Sequence, residues 1–393
     1  MNENKYNISE KLFALNEFSK KTRQYLHRIP ELSGQEFKTS QYCHNLMRNF
    51  GYTIKTYEGY TGFIADLIID PEKPLIALRA DMDALAMSDM TNNEYTSIHP
   101  GRAHNCGHDV HMTAALTAAN YLSQHQDKMD ANVRFIFQMA EEDVYVPGAD
   151  KMVELGCMEG VSEVYALHNN AMQETGRIDL GTGIMSSWGT AWTLDVYGVS
   201  THASAPQNGL DAIREVGRIL DYMDYIVAKK TNPFSPAVLS CGVIKGGTVS
   251  NAVADHVHAK GTIRAMDEET HRILKDSFQE ILARSKDGGF KTAITYAGYP
   301  PVENHPYAHQ RILEAASKFL PDENINPNSS PITASEDFSY MINATKDRIG
   351  AMFMLGSGNT EKGISNYLHS NPYFVDDDCM LVGAQIFINL VTH

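Results

Sequence analysis

The sequence predicts an α/β protein, a mostly parallel sheet flanked by helices, with an inserted α+β domain of ferredoxin-like type. Short apolar runs fit for buried strands alternate with helix-length segments through the first half of the chain. Those runs end in carboxylates or imidazoles, as expected where a parallel sheet turns the carboxyl ends of its strands towards a ligand. After Gly183 the pattern becomes strand-helix-strand-strand-helix-strand over about 110 residues, the element order of a ferredoxin-like unit. At 393 residues the chain is also long for a single core.

In order, residues 8–28 read as an amphipathic helix, with Leu12, Leu15, Phe18 and Leu26 near helical spacing, ended by Pro30. A second helix around 35–50 carries Phe37, Tyr42, Leu46 and Phe50 and stops at Gly51. Residues 62–69 and 75–80 are strands, the latter running into Asp81-Met82-Asp83. Asp109 is placed to cap an alanine-rich helix through 111–116. The strand at 133–140 leads into Glu141-Glu142-Asp143, and the one at 164–167 into His168. In the insert, residues 190–199 alternate, and a helix with Ile213, Val216, Ile219, Leu220 and Met223 follows. Strands at 237–244 and 256–264, a helix over about 268–285 and a last strand at 291–297 complete it. Pro300-Pro301-Val302 marks the return. The expected division is 1–184 with 297–393 in one domain and 185–296 in the other, with hinges near Gly183 and Ala297.

Composition narrows the function. Hydrophobic content of 43% and charged content of 21% are those of an ordinary globular protein. A net charge of −15 argues against nucleic acid and anionic membrane surfaces as partners, since both would repel it. No segment has the roughly 18 to 20 apolar residues of a membrane span, and the start lacks a signal-like apolar run. Cytoplasmic residence is therefore expected. The five cysteines, Cys43, Cys106, Cys157, Cys241 and Cys379, are odd in number and irregularly spaced, which suits reduced thiols.

The chemistry centres on Cys106-Gly107-His108-Asp109-Val110-His111. Gly107 lets the backbone bend so that Cys106 and His108 can face one metal ion, which makes half a site. No CxxC pair exists in the chain, so the remaining ligands are expected from distant segments, as in catalytic rather than structural centres. Glu141 and Glu142 suit a division of labour, because neighbouring side chains of an extended segment face opposite ways. Alone, that pair reads equally as a solvated acidic turn. Asp81 and Asp83 offer two carboxylates on one face, and His168 and His369 each follow an apolar segment. The coincidence of ligand-type residues at four separate strand ends is what favours a site.

The chain resembles the M20 metallopeptidases, within them the aminoacylase, hippurate hydrolase and indole-acetyl-amino-acid hydrolase branch. The resemblance spans essentially the whole sequence. It rests on His27-Arg28-Ile29-Pro30-Glu31-Leu32-Ser33, Leu78-Arg79-Ala80-Asp81-Met82-Asp83-Ala84-Leu85, Asn105-Cys106-Gly107-His108-Asp109 and Ala140-Glu141-Glu142. Further along it rests on Thr201-His202-Ala203, Gly261-Thr262-Ile263-Arg264, Ser335-Glu336-Asp337-Phe338 and Leu368-His369. The resemblance implies two divalent metal ions per subunit, zinc or manganese before cobalt or nickel, held by Cys106, His108, Glu142, His168 and His369. It implies Glu141 as general base and Asp83 behind a ligand, fixing its orientation. Where the wider superfamily has a metal-binding histidine two residues before that aspartate, this chain has Asp81. Ala86 and Asp143 also depart from the branch, which commonly has Pro and Gly there; these bear on substrate preference.

From the insert the resemblance implies a dimerisation or lid domain. Its His202 would reach the partner's active site to stabilise the oxyanion, and Asn251 and Arg264 would hold the substrate's carboxylate. The expected activity is metal-dependent hydrolysis of the amide of an N-acyl amino acid or related small conjugate, by a homodimer or dimer of dimers. A dipeptidase or aminopeptidase of the same superfamily is the competing enzyme. It would need a group to hold a free amino terminus, with Asp89 and Asp143 as candidates. A non-catalytic binding protein on the same fold is the competitor from another class, and the intact Glu141 and ligand set speak against it.

Overall fold

The structure is a computed structural model and describes residues 4–392. It divides into two compact units: one takes the residues up to Met185, Val302–Ser330 and those from Asp337 on, the other Ser186–Pro301 and Pro331–Glu336. Strands follow in chain order as β1 (Thr53–Thr56), β2 (Phe63–Leu67), β3 (Leu75–Asp81), β4 (Asn132–Gln138), β5 (Val161–Glu174), β6 (Ile178–Asp179) and β7 (Gly183–Ile184). The second unit supplies β8 (Trp188–Tyr197), β9 (Ala237–Gly246), β10 (His256–Ala265) and β11 (Lys291–Tyr299). The chain returns through β12 (Glu303–Asn304), β13 (Ile325–Asn326) and β14 (Gly350–Gly358).

The first unit holds an eight-stranded sheet in the order β1-β2-β4-β3-β5-β14-β6-β13. Its centre, β4-β3-β5-β14, is parallel, while β1 with β2, β2 with β4 and β14 with β6 are antiparallel. Every residue of β4 is buried, as the continuous apolar run requires of a strand covered on both faces. On one face lie the helices His108–Ser123 and Cys379–Val391, which are buried almost all round. On the other face Ile64, Ala77, Ile136 and Val164 pack with Met152, Phe338 and Met341. No described helix is long and apolar enough to cross a membrane.

Three local expectations are corrected. The first helix is two, Glu10–Phe13 and Asn16–Arg28, because Ser9 caps a separate first turn through the Leu12 amide. Asp109 does not cap its helix. Gly107 is the N-cap, at φ 89°, and Asp109 lies inside the first turn, its carboxylate bound to Arg23 at 3.2 Å and His27 at 2.8 Å. Strand β5 does not end before His168 but runs through it to Glu174, because β14 pairs with it residue by residue there.

The second unit is a four-stranded antiparallel sheet in the order β11-β8-β10-β9, so its strands stand fourth, first, third, second. With the helices Ala212–Lys229 and Glu268–Asp287 between them, this is the ferredoxin-like arrangement. The helices cover one face, burying Trp192, Leu194, Val196, Val257 and Ile263 against Ile219, Met223 and Phe278. Strand β9 is an edge, and Val238, Val243 and Ile244 on it are exposed.

The turn at Gly107 fixes where the metal-type loop meets the sheet, and two glycines separate its causes. Gly101, at φ 72°, has open space beside it, whereas a Cβ on Gly107 would lie 2.1 Å from Asn169 Oδ1. Gly101→Ala is expected to cost about 1–2 kcal/mol for left-handed backbone alone. Gly107→Ala adds a collision in a packed interior, and the loss in urea unfolding of the metal-free protein should exceed that of Gly101→Ala by at least about 1 kcal/mol. Equal losses would show that the close approach to Asn169 is not a constraint.

Candidate metal centre

Parallel pairing brings the ligand-type residues to one end of the sheet. Asp81, last in β3, pairs with Gln138, last in β4, so Asp81-Met82-Asp83 and Glu141-Glu142 leave the sheet side by side. Arg79 pairs with Ala166 of β5, which puts His168 level with Asp81. The 106–108 turn arrives from between β3 and the helix it starts. His369 reaches in from a loop at φ 62°, its amide donating to the Asn105 carbonyl at 2.8 Å, while Asn105 Nδ2 donates to the Ser370 carbonyl at 2.7 Å. The Cys106 and His369 loops are thereby stitched together.

Within this end the distances close. Cys106 Sγ lies 3.5 Å from His168 Nε2, and Glu142 Oε1 lies 3.7 Å from His108 Nε2 and 3.4 Å from His369 Nε2. Glu141 Oε2 stands 3.9 Å from His108 Nε2. Cys106, His108 and His168, then Cys106, Glu142 and His369, then His108, Glu141 and Glu142 each offer ligand atoms within 4.8 Å of one another.

Tautomers point the same way. His108 Nδ1 faces only acceptors, the Asp83 carbonyl at 2.8 Å and Asp83 Oδ1 at 3.2 Å, so it keeps a proton and Nε2 is the nitrogen whose lone pair a cation would take once the ring is neutral. His168 Nδ1 likewise donates to the Asn169 carbonyl at 2.9 Å, leaving Nε2 towards Cys106. His108 Nε2 and Glu142 Oε1 are buried with no hydrogen-bond partner, a costly state that a cation between them would relieve. A thiol, three imidazoles and a carboxylate are a donor set for divalent transition ions, so the residues fit a metal pair.

The protonation equilibria carry the mark of excess negative charge. Burial works against charging His108, yet Asp81, Asp83 and Glu142 raise it to about 10. Burial together with Glu142 and Glu141 drives the Cys106 thiol well up. Burial and His111 pull His168 down to about 3. A cation arriving here displaces protons from His108 and Cys106 and takes over their compensating role.

Residue roles not foreseen in the sequence lie just behind the ligands. Asp81 is fully buried, accepts from His111 Nδ1 at 2.6 Å and pairs with Arg79 Nη1 at 2.7 Å, with His108 Nε2 3.6 Å away. Arg79 continues to Gln138 and Asp337, and His111 to Asn169, whose amide nitrogen donates to the Tyr373 hydroxyl at 2.6 Å. Glu36 accepts from the Ala140 amide at 2.9 Å. For Arg79, Asp81 and Gln138 the local signal is a polar residue in or at the end of an apolar segment; Glu36 has none.

In the second unit, His202 and Asn251 sit on paired loops: the Ala203 amide donates to the Asn251 carbonyl at 2.9 Å and the Val253 amide to the Thr201 carbonyl at 2.8 Å. His202 Nδ1 accepts from the Ser204 amide at 3.1 Å, which leaves its proton on an outward Nε2. Arg264 is elsewhere. It lies eight residues beyond His256 along β10, about 26 Å at an extended rise, so within one chain Asn251 and Arg264 stand at opposite ends of that strand. Its half-buried guanidinium bonds Thr262 Oγ1 and the Ile263 carbonyl, and no described carboxylate pairs with it.

Comparison with known proteins gives the family. The family model described as Peptidase family M20/M25/M40 matches residues 77–393. The chain is 33% identical over 368 residues to the N-acetyl-L-cysteine deacetylase of Bacillus subtilis, covering 93% of this chain and 85% of that one. It is 31% identical over 375 residues to the N-acetyldiaminopimelate deacetylase of Bacillus velezensis, covering 93% and 96%. In fold it is similar to a dinuclear metal-binding M20-family peptidase of Bacillus subtilis, with TM-score 0.79, 24% identity and coverage of 96% and 98%. A match over most of the length, with relatives aligned across nearly the whole chain, places it: the chain belongs to peptidase family M20/M25/M40.

Proposed function

We propose that the protein is a metal-dependent amidohydrolase that cleaves the amide bond of N-acyl amino acids or related small conjugates. The observation that carries this reading is the meeting of Cys106, His108, Glu142, His168 and His369 with Glu141 beside them, two of the ligand atoms buried and unpartnered. Relatives named as deacetylases of N-acetyl-cysteine and N-acetyldiaminopimelate support the substrate class. When bound, two divalent ions, zinc or manganese in the first place, polarise the amide carbonyl and acidify water. Glu141 accepts the attacking water's proton and delivers it to the leaving amine. Asp83 holds His108 in the tautomer that leaves Nε2 free for a cation.

The second unit supplies the groups for substrate recognition. His202, with its proton on Nε2, is a donor for the developing oxyanion, and Arg264, bonded to Thr262 and Ile263 but to no described carboxylate, is a planar fork for one. Because His202 and Asn251 lie at one end of β10 and Arg264 at the other, one substrate can meet all three only if they come from different copies. This separation supports reading the protein as a homodimer, for which the exposed apolar edge of β9 offers a surface. All five cysteines are unpaired, in keeping with the reducing cytoplasm. The dipeptidase reading loses one of its candidates. Asp89 is committed to His27 at 3.3 Å and to the Thr91 and Ser97 amides, so it is not available to a free amino terminus.

Glu141→Gln should keep about two metal ions per chain while turnover on N-acyl amino acids falls at least about 100-fold, and His108→Ala should lose metal. Metal analysis beside kinetics checks this; metal loss in Glu141→Gln with retention in His108→Ala would reverse the two roles. N-acetyl-methionine should be preferred over its amide by at least about 100-fold in kcat/KM, because a site built around an unpaired guanidinium rejects substrates lacking the anion. Equal values would remove the carboxylate clamp. Glu141→Ala and His202→Ala chains, each nearly inactive, should regain about a quarter of wild-type activity when exchanged at random into mixed dimers, since one of two sites per heterodimer is then whole. Mixed dimers without recovery would place His202 within its own chain's chemistry or outside it.

A further inference from the structure

We propose that Glu36 is a positioning residue, the anchor of a brace that holds the backbone around Glu141 so that Glu141 and Glu142 point to different tasks. The inference rests on the roles given above to those two carboxylates, and it concerns a residue 104 positions away in sequence from the amide it holds.

Ala140, immediately before the pair, has φ 53°, the left-handed region that a residue with a Cβ rarely occupies. That conformation turns the chain sharply as it leaves β4, and it needs an outside partner to persist. Glu36 is that partner. Its Oε1 accepts from the Ala140 amide at 2.9 Å and from the Gly34 amide at 2.8 Å, while Thr61 Oγ1 donates to Oε2 at 2.5 Å. On the other side of Glu141, the Glu142 amide donates to Asp83 Oδ2 at 2.9 Å, and Ser33 Oγ donates to the same oxygen at 2.7 Å. Two fully buried carboxylates thus grip the amides that flank Glu141, and the 33–36 loop touches both. The turn has no room to relax sideways, since a Cβ on Gly148 would stand 2.6 Å from the Ala140 carbonyl oxygen.

A glutamine at 36 can reproduce these contacts, its oxygen towards the two amides and its NH2 towards Thr61 Oγ1. Burial first, and the neighbouring Asp83 second, raise the Glu36 carboxyl to about 7, so a neutral side chain is no stranger to the position. An alanine reproduces none of them.

The test compares Glu36→Ala and Glu36→Gln by hydrogen exchange in the metal-free protein and by kinetics in the metal-loaded one. In Glu36→Ala, exchange at the Ala140 and Glu142 amides should rise above that of the flanking strand, and kcat should fall at least about tenfold with KM within about threefold. Glu36→Gln should restore both to within about threefold. Leu116→Ala, a core variant remote from the turn, controls for general destabilisation and should leave exchange at the turn unchanged. Where Glu36→Ala does not fold, Glu36→Asp replaces it, because its carboxylate is one methylene short of the Ala140 amide while the buried gap is smaller; it should show the same local exchange and a lowered kcat. Unchanged exchange at the turn, or Glu36→Gln as impaired as Glu36→Ala, overturns the brace. If the wild type hydrolyses no N-acyl amino acid, the proposed function fails while the exchange comparison still decides the brace.

Discussion

The arrangement at the sheet end depends on one buried carboxylate, Asp83. It receives the Ser33 hydroxyl and the Glu142 amide on one oxygen, presents the other to His108 Nδ1, and accepts the same imidazole on its backbone carbonyl. An unpaired charge at such a depth is expensive, and each donor that relieves it is also positioned by it. His108 is fixed in the tautomer that frees Nε2, Glu142 is fixed through its backbone, and the Ser33 loop is tied down. A group with no direct part in the chemistry thereby sets the geometry of those that have one.

Behind Asp83 the polar interior continues as a chain rather than as isolated pairs. Asp337, Gln138, Arg79, Asp81, His111, Asn169 and Tyr373 follow one another by hydrogen bonds or ion pairs through the unit's core. Removing one member leaves its neighbour's charge buried and unpaired, which costs far more than the net worth of the pair. The negative charge gathered around His108 by Asp81, Asp83, Glu141 and Glu142 is tolerable in a folded protein only with a cation among them. In the metal-free chain a proton on His108 plays that part.

Much of this was legible in the sequence, for identifiable reasons. The strands at 75–81 and 132–138 show as apolar runs because they are covered on both faces, and the helices of the second unit show as amphipathic because one face is solvated. Asp81, Asp83, Glu141 and Glu142 stand out because they follow such runs, whereas Cys106, His108 and His369 lie on or beside loops that no apolar run announces. The sheet order could not be read, since β4 lies between β2 and β3 and β14 beside β5 through pairings far apart in the chain. The same distance hides the partners of the site. Nothing near Glu36 announces Ala140, and His111 reads as one more residue of an alanine-rich helix until β3 places Asp81 against it. The separation of Asn251 from Arg264 was equally invisible, because it is set by the length of β10 and not by any residue's type.

The central claim is that Cys106 and His108 complete, with Glu142, His168 and His369, a site for two divalent ions. Titration of the metal-free protein with cobalt(II), followed through the thiolate-to-metal absorption, tests it most directly, because Cys106 gives such a band only as a bound thiolate. The account predicts a band that keeps growing past one equivalent and saturates at two, is accompanied by proton release and is absent from Cys106→Ser. Saturation at a single equivalent, or a band that survives in Cys106→Ser, would contradict it.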